Sequence, residues 1–248
     1  MELQGKIAVI IGASGGIGSE ISMALAEKGV KLILVARKKK TLVALKEKVE
    51  ELGSEAEVWT CDLTDSKSID LLVKKIEKKH KNIDLLFHVS GVGVYKKLER
   101  ISLEGWQRSM DVNVTSVFYL TQKLMPLLKK SEKAYVFATG SGMGKIGLSG
   151  RSPYCASKFA LRGLMLSLAK EYKKTNINFV LLTLGSVLTG FGPLTLDKKK
   201  QKEEKGKGYI DPRWLGRHIS IRLENETLDN EVSIYPRHYF EESRKDIR

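Results

Sequence analysis

Residues 5–20 read GKIAVIIGASGGIGSE. The first seven make a short apolar run, the signal of a buried strand. From about Ser14 to Lys28 the spacing changes, with Ile17, Ile21, Ala24 and Leu25 on one helical face and Gly29 as the stop. Gly12, Gly16 and Gly18 stand at the join. Glycines there let the chain turn tightly and let a pyrophosphate approach the helix N-terminus, where free N–H groups and the helix dipole favour an anion. A glycine pattern alone is a weak signal, but a strand before it and a helix after it supply the context the signal needs. The spacing is Gly-x-x-x-Gly-x-Gly.

The alternation continues outward from that unit. KLILVA (31–36), AEVWT (56–60), IDLLFHV (83–89), AYVFAT (134–139) and INFVLLT (177–183) read as strands, and EVSIY (231–235) as a short last one. Helical stripes lie between them, including Leu42, Leu45, Val49 and Leu52, and then Ile69, Leu72, Val73 and Ile76 with Ser66 as N-cap. Further helices are expected over 103–130, 153–172 and 211–224. Fully apolar strands alternating with amphipathic helices give an α/β fold: a Rossmann-like, doubly wound domain, with a mostly parallel sheet of about seven strands and helices on both faces. One domain is expected over 1–248, with 235–248 as a C-terminal tail. Residues 186–210 contain Gly, Lys and Leu without periodicity and read as a long loop, hence a substrate loop or lid.

The chain has 248 residues and a formal net charge of +14, carried mostly by lysine. A basic surface attracts phosphate regardless of fold. Nucleic acid is nevertheless not the expected partner, because there is no zinc-finger spacing, no aromatic strand signature and no long basic tail. A cofactor-binding regulatory or nucleic-acid-associated protein is the alternative. Two cysteines, Cys61 and Cys155, make neither a disulfide framework nor a metal cluster. No stretch near the start suits a membrane span or a secretion signal, so a cytoplasmic protein is expected.

The end of the second strand selects the cofactor. An acid there would bind the ribose 2′-hydroxyl of NAD; here Ala36 is followed by Arg37 and Lys38. With no carboxylate to repel a 2′-phosphate and two cations to receive it, NADP(H) is favoured over NAD(H).

GRSPYCASK (150–158) places Tyr154 four residues before Lys158, on one helix face if the segment is helical. An accidental pairing of two common residues is the plain reading. Against it stands the order of the other motifs, through which the chain resembles the short-chain dehydrogenase/reductase family over residues 5–190. IGASGGIG (11–18) resembles the cofactor turn, CDLTD (61–65) the adenine-side turn, and HVSG (88–91) stands where the family has Asn-Asn-Ala-Gly. MDVNV (110–114) puts Asn113 at the active-site asparagine, and Ser141 precedes Tyr154 by thirteen residues. YCASK carries the Tyr-x-x-x-Lys pair, and LGSVLT (184–189) replaces the Pro-Gly segment beside the nicotinamide.

The resemblance implies a carbonyl–alcohol oxidoreductase. Its catalytic residues would be Asn113 holding a water, Ser141 bonding the substrate oxygen, Tyr154 as acid–base, and Lys158 lowering the phenol's pKa. The cofactor residues it implies are Gly12, Ser14, Gly15, Gly16, Ile17, Gly18, Arg37, Lys38, Asp62, Leu63, His88, Gly91, Tyr154, Lys158, Val187 and Thr189. No metal is implied. A small-molecule carbonyl or alcohol is the expected substrate, and a homodimer or homotetramer the expected assembly. Specificity is expected in 92–98, 142–152 and 186–210, with Phe191, Leu194 and Leu196 giving the substrate site an apolar component. Cys155, Trp59 and Trp106 are expected to pack, and His218 and His238 have no evident partner in the sequence. The closing EVSIYPRHYFEESRKDIR lacks the Gly-Gly of the family's acyl-carrier-protein reductases, which argues against that role.

Overall fold

Strands without a polar interruption must be covered on both faces, and the computed structural model, which describes residues 1–237, covers them so. The expected tail lies outside the described residues from 238 onward, and His238 with it. Seven strands, β1 (Ile7–Ile11), β2 (Lys31–Ala36), β3 (Ala56–Thr60), β4 (Leu85–His88), β5 (Ala134–Ser141), β6 (Ile177–Leu184) and β7 (Glu231–Ile234), form one sheet in the order β3-β2-β1-β4-β5-β6-β7. Every pairing is parallel.

Strand alternation divides the apolar residues between two cores. Ala8, Ile10, Leu34 and Phe87 pack with Leu25 of α1 (Gly16–Ala26), Leu42 of α2 (Lys39–Glu51) and Ile219 of α8 (Pro212–Glu224). Val9, Ile11, Val35 and Leu86 pack on the other side with Leu72 of α3 (Ser66–Lys79), Leu120 of α5 (Ser116–Leu128) and Met165 of α6 (Ser152–Glu171). Each such fully buried Val, Leu, Ile, Phe or Met side chain contributes about 1.5–3 kcal/mol. The order reverses between β1 and β4, so a crevice opens beyond their carboxyl ends, where ligands bind in sheets of this kind.

Three local expectations need correction. The α3 cap is Asp65, which accepts from the Lys67 amide at 2.9 Å; Ser66 is already inside the helix. The helix expected over 103–130 is α4 (Leu103–Met110) and α5 joined by a π-helical stretch, Asp111–Thr115. Such widened turns appear mostly at functional sites, and this one carries Asn113. The 186–210 segment is not all loop: α7 (Leu196–Glu204) lies within it, capped by Thr195, and Val187 bridges Ile210 in parallel. No apolar stripe announces α7, because its one buried residue is Lys199.

Candidate active site

The crevice is a cleft of about 1510 Å³. One wall is the glycine turn. Gly12 sits at φ +99°, where a side chain is strained, and a Cβ there would lie 2.6 Å from the Ser90 amide nitrogen. The ends of β1 and β4 can therefore touch only through glycine. Gly12 and Ala13 donate to the Val35 carbonyl, tying the turn to β2. Gly15 caps α1 without any side-chain hydrogen bond, leaving the first-turn amides open to an anion. Gly12, Ser14, Gly15, Gly16 and Ile17 line the cleft. Gly18 does not; its place is inside the turn, where a Cβ would lie 2.3 Å from the Gly12 carbonyl oxygen.

At the β2 end Arg37 lines the cleft, while Lys38 caps α2 and is absent from the wall. Asp62 and Leu63 also line it. The Asp62 carboxylate accepts from the amide and hydroxyl of Thr64 at 2.9 and 2.8 Å. Those bonds hold its pKa below the usual carboxylate range, with Arg37 and Arg108 adding in the same direction. Arg108, from α4, is a second cation at this end that no sequence motif marked.

His88 also stands outside the cleft wall. It ends β4, but its ring is buried away from the cleft, with Nε2 3.0 Å from the Thr121 hydroxyl on α5 and Nδ1 unpaired. The reason is strand alternation: His88 follows Phe87 and faces the opposite core. Burial pulls its pKa down to about 3, so it is neutral. Gly91, Val187 and Thr189 do line the cleft, and a Cβ on Gly16 would meet Thr189 Cγ2 at 2.7 Å.

The remaining residues meet at the far end. Ser141 ends β5, accepts from the Met143 amide at 3.2 Å, and stands where it pulls the Tyr154 pKa downward. Tyr154, on the first turn of α6, lies between the rings of Tyr95 and Phe191, each 5.8 Å away centroid to centroid. Lys158 is buried, donates from Nζ to the Thr139 carbonyl at 2.7 Å, and stands 5.7 Å from the Tyr154 ring. Burial pulls its pKa down to about 8. The phenol, expected to fall under the lysine's influence, is instead pushed above its ordinary value by burial and by Tyr95, against the pull of Ser141.

Asn113 is close by, and its carboxamide is hydrogen-bonded through both its oxygen and its nitrogen. It accepts from the Val92 amide and donates to the Val92 carbonyl and the Ser157 hydroxyl, each at 2.9 Å. The side chain thereby anchors the strand-end loop after Gly91.

The three expected specificity segments do converge. Tyr95, Met143, Ile146, Leu148, Phe191 and Leu194 make an apolar outer wall, with Arg151 over the Tyr95 ring at 5.3 Å. The α4 face is a wall that sequence reasoning missed, since the periodicity there marked only a helix. Cys155 is buried and free, Trp59 carries Lys75 and Lys79 over its ring, and His218 stacks on Trp214. Among the described residues no helix is long and apolar enough to cross a membrane.

Residues 6–200 match the family model for short chain dehydrogenases. Glycine betaine reductase ATRR of Emericella nidulans is 29% identical over 240 residues, covering 95% of this chain; the chain spans 19% of that protein. The 3-oxoacyl-acyl-carrier-protein reductase of Haemophilus influenzae is 30% identical over 80% of this chain and 81% of its own. The alcohol dehydrogenase of the archaeon Thermococcus sibiricus, complexed with 5-hydroxy-NADP, is 27% identical with a TM-score of 0.83, covering 93% of this chain and 96% of that one. Other similar structures hold NADP in one case and NAD in another.

Proposed function

The chain belongs to the short-chain dehydrogenase family of oxidoreductases, and from that premise we propose that it interconverts a ketone or aldehyde and its alcohol with NADP(H). The observation that carries the reading is the meeting of Ser141, Tyr154 and Lys158 at one end of a cleft whose other end is a glycine turn. A dinucleotide fits that cleft: the turn leaves no room for side chains, and the hydroxyls of Ser90 and Thr139 in its wall are buried without partners.

Gly12 to Ile17 would hold the pyrophosphate, Arg37 the 2′-phosphate, and Val187 and Thr189 the nicotinamide end. The cofactor supplies the hydride. Ser141 would bond the substrate oxygen as charge develops on it. Tyr154, protonated at neutral pH, would donate its proton to the carbonyl oxygen as the alcohol forms. Lys158, with a pKa near neutrality, is suited to resupply it. The apolar outer wall suits a carbonyl compound with a hydrophobic body. A homodimer or homotetramer is the expected assembly, to be checked by light scattering.

The test is titration with NADPH and NADH, followed by absorbance assays against ketones, aldehydes and alcohols. Tyr154→Phe is expected to lower turnover by about 10²–10⁴-fold, the range for a general acid, while NADPH still binds. Near-normal turnover in that variant would remove Tyr154 from the chemistry. No observation favours the regulatory or nucleic-acid alternative.

A further inference from the structure

Lys199 departs from every other lysine of its segment. Its neighbours in DKKKQK (197–202) are exposed or nearly so, whereas Lys199 is 8% exposed. Its Nζ lies 3.3 Å from the carbonyl of Val187, 2.8 Å from that of Thr189 and 2.6 Å from that of Phe191. An ammonium has three donors, so these bonds use all of them. No carboxylate pairs with it among the described residues. Burying a charge without a counter-ion is costly, and here three carbonyl dipoles stand in for one.

The carbonyls it gathers belong to the segment that closes the cleft. Thr189 abuts Gly16 of the glycine turn, and Phe191 packs against the Tyr154 ring. This is also the stretch where LGSVLT lacks the proline of the family pattern, so no ring constrains the backbone. The anchor comes instead from a helix eight to twelve residues further on. The ring of Tyr209 stands 5.9 Å from the ammonium.

We propose that Lys199 is a positioning residue: an ammonium clasp that holds 187–191 in its cleft-lining form, and with it Thr189 on the cofactor side and Phe191 on the substrate side. The kinetic part rests on the dehydrogenase reading above; the structural part does not. Lys199→Met removes the ammonium at nearly constant length, and Lys199→Arg keeps a charged donor.

The first readout is limited trypsin digestion of the full chain, since Lys198, Lys200 and Lys202 remain as cleavage points in α7. Lys199→Met is expected to be cut there about tenfold faster than the wild type, through local opening and without faster cutting in the sheet. Lys199→Arg is expected to restore resistance. The second readout is the split between KM and kcat for any carbonyl substrate. Loss of a clasp raises KM more than it lowers kcat, whereas mere loss of folded enzyme lowers the apparent kcat and leaves KM fixed. Unchanged digestion of α7, cleavage spread evenly over the strands, or an effect confined to kcat would each overturn the clasp. If the wild type reduces no carbonyl compound at all, the dehydrogenase reading fails and digestion alone decides the clasp.

Discussion

The glycine turn after β1 and the 187–191 segment after β6 both bring backbone to the cleft, and they do so by opposite means. The turn works by subtraction: Gly12, Gly16 and Gly18 remove side chains so that Ser90, Thr189 and the Gly12 carbonyl can come close. The segment works by addition: one long side chain, Lys199, reaches back and ties three carbonyls together. A subtraction is written locally, in consecutive residues. An addition is written at a distance, in a residue whose significance appears only when its partners are in place.

Gly18→Ala and Gly16→Ala separate the two cases and carry the largest expected effects. At Gly18 a new Cβ would lie 2.3 Å from backbone, the Gly12 carbonyl oxygen, and nothing flexible can yield. NADPH affinity is expected to fall at least a hundredfold, or the chain to lose stability outright, since overpacking costs about 1–3 kcal/mol and often more against backbone. At Gly16 the clash is with a side-chain atom of the 187–191 segment, Thr189 Cγ2 at 2.7 Å. Gly16→Ala is therefore expected to cost less, and Thr189→Ser, which deletes that methyl, to return part of the lost affinity. Fluorescence titration of the two single variants and the double variant reads the coupling directly. Additive losses would mean that turn and segment do not press on each other.

Much of this was legible from the residues. The inner strands are apolar on nearly all positions of both faces, so the doubly covered parallel sheet follows from composition and alternation. Tyr154 and Lys158 are legible because helix geometry fixes positions i and i+4 on one face. What was not legible shares one cause: the deciding partner lies far along the chain. The helix Leu196–Glu204 shows no apolar stripe because its inward residue is a lysine satisfied by carbonyls of the preceding segment. The Asn113 side chain is hydrogen-bonded to Val92 and Ser157, 21 and 44 residues away. Arg108 reaches the Asp62 end of the cleft from a helix whose pattern records only its buried side.

The β2 end sharpens the comparison, because there a side chain is added on the local, legible half. Arg37→Ala is expected to raise the NADPH dissociation constant about tenfold, the scale of one charge-assisted contact, and to leave NADH binding nearly as it was. The effect is smaller than that of Gly18→Ala because Arg108 remains nearby. Equal losses for the two nucleotides would assign Arg37 to packing instead of 2′-phosphate recognition.

The smallest expected effect concerns how the two halves treat a buried base. Lys199 has all its donors met by carbonyls, whereas the Nδ1 of His88 has no partner. Burial lowers the His88 pKa from 6.5 to about 3. Between those values the unfolded chain binds a proton that the folded chain refuses, so folding stability falls as pH drops below 6.5. The limiting slope is about 1.4 kcal/mol per pH unit. Glu231 does not intrude above pH 4.5. Its pKa is lowered to about 2 by Arg162, Lys145 and Thr183, against the opposing cost of burial, so its contribution is lost only as pH falls from 4.5 through 2. Thermal unfolding at pH 7, 6 and 5 is therefore expected to show a steeper loss for the wild type than for His88→Asn, which has nothing to protonate and can still bond Thr121. Parallel curves would mean that His88 accepts its proton without cost, and that the core on the α5 face opens to water where the structure closes it.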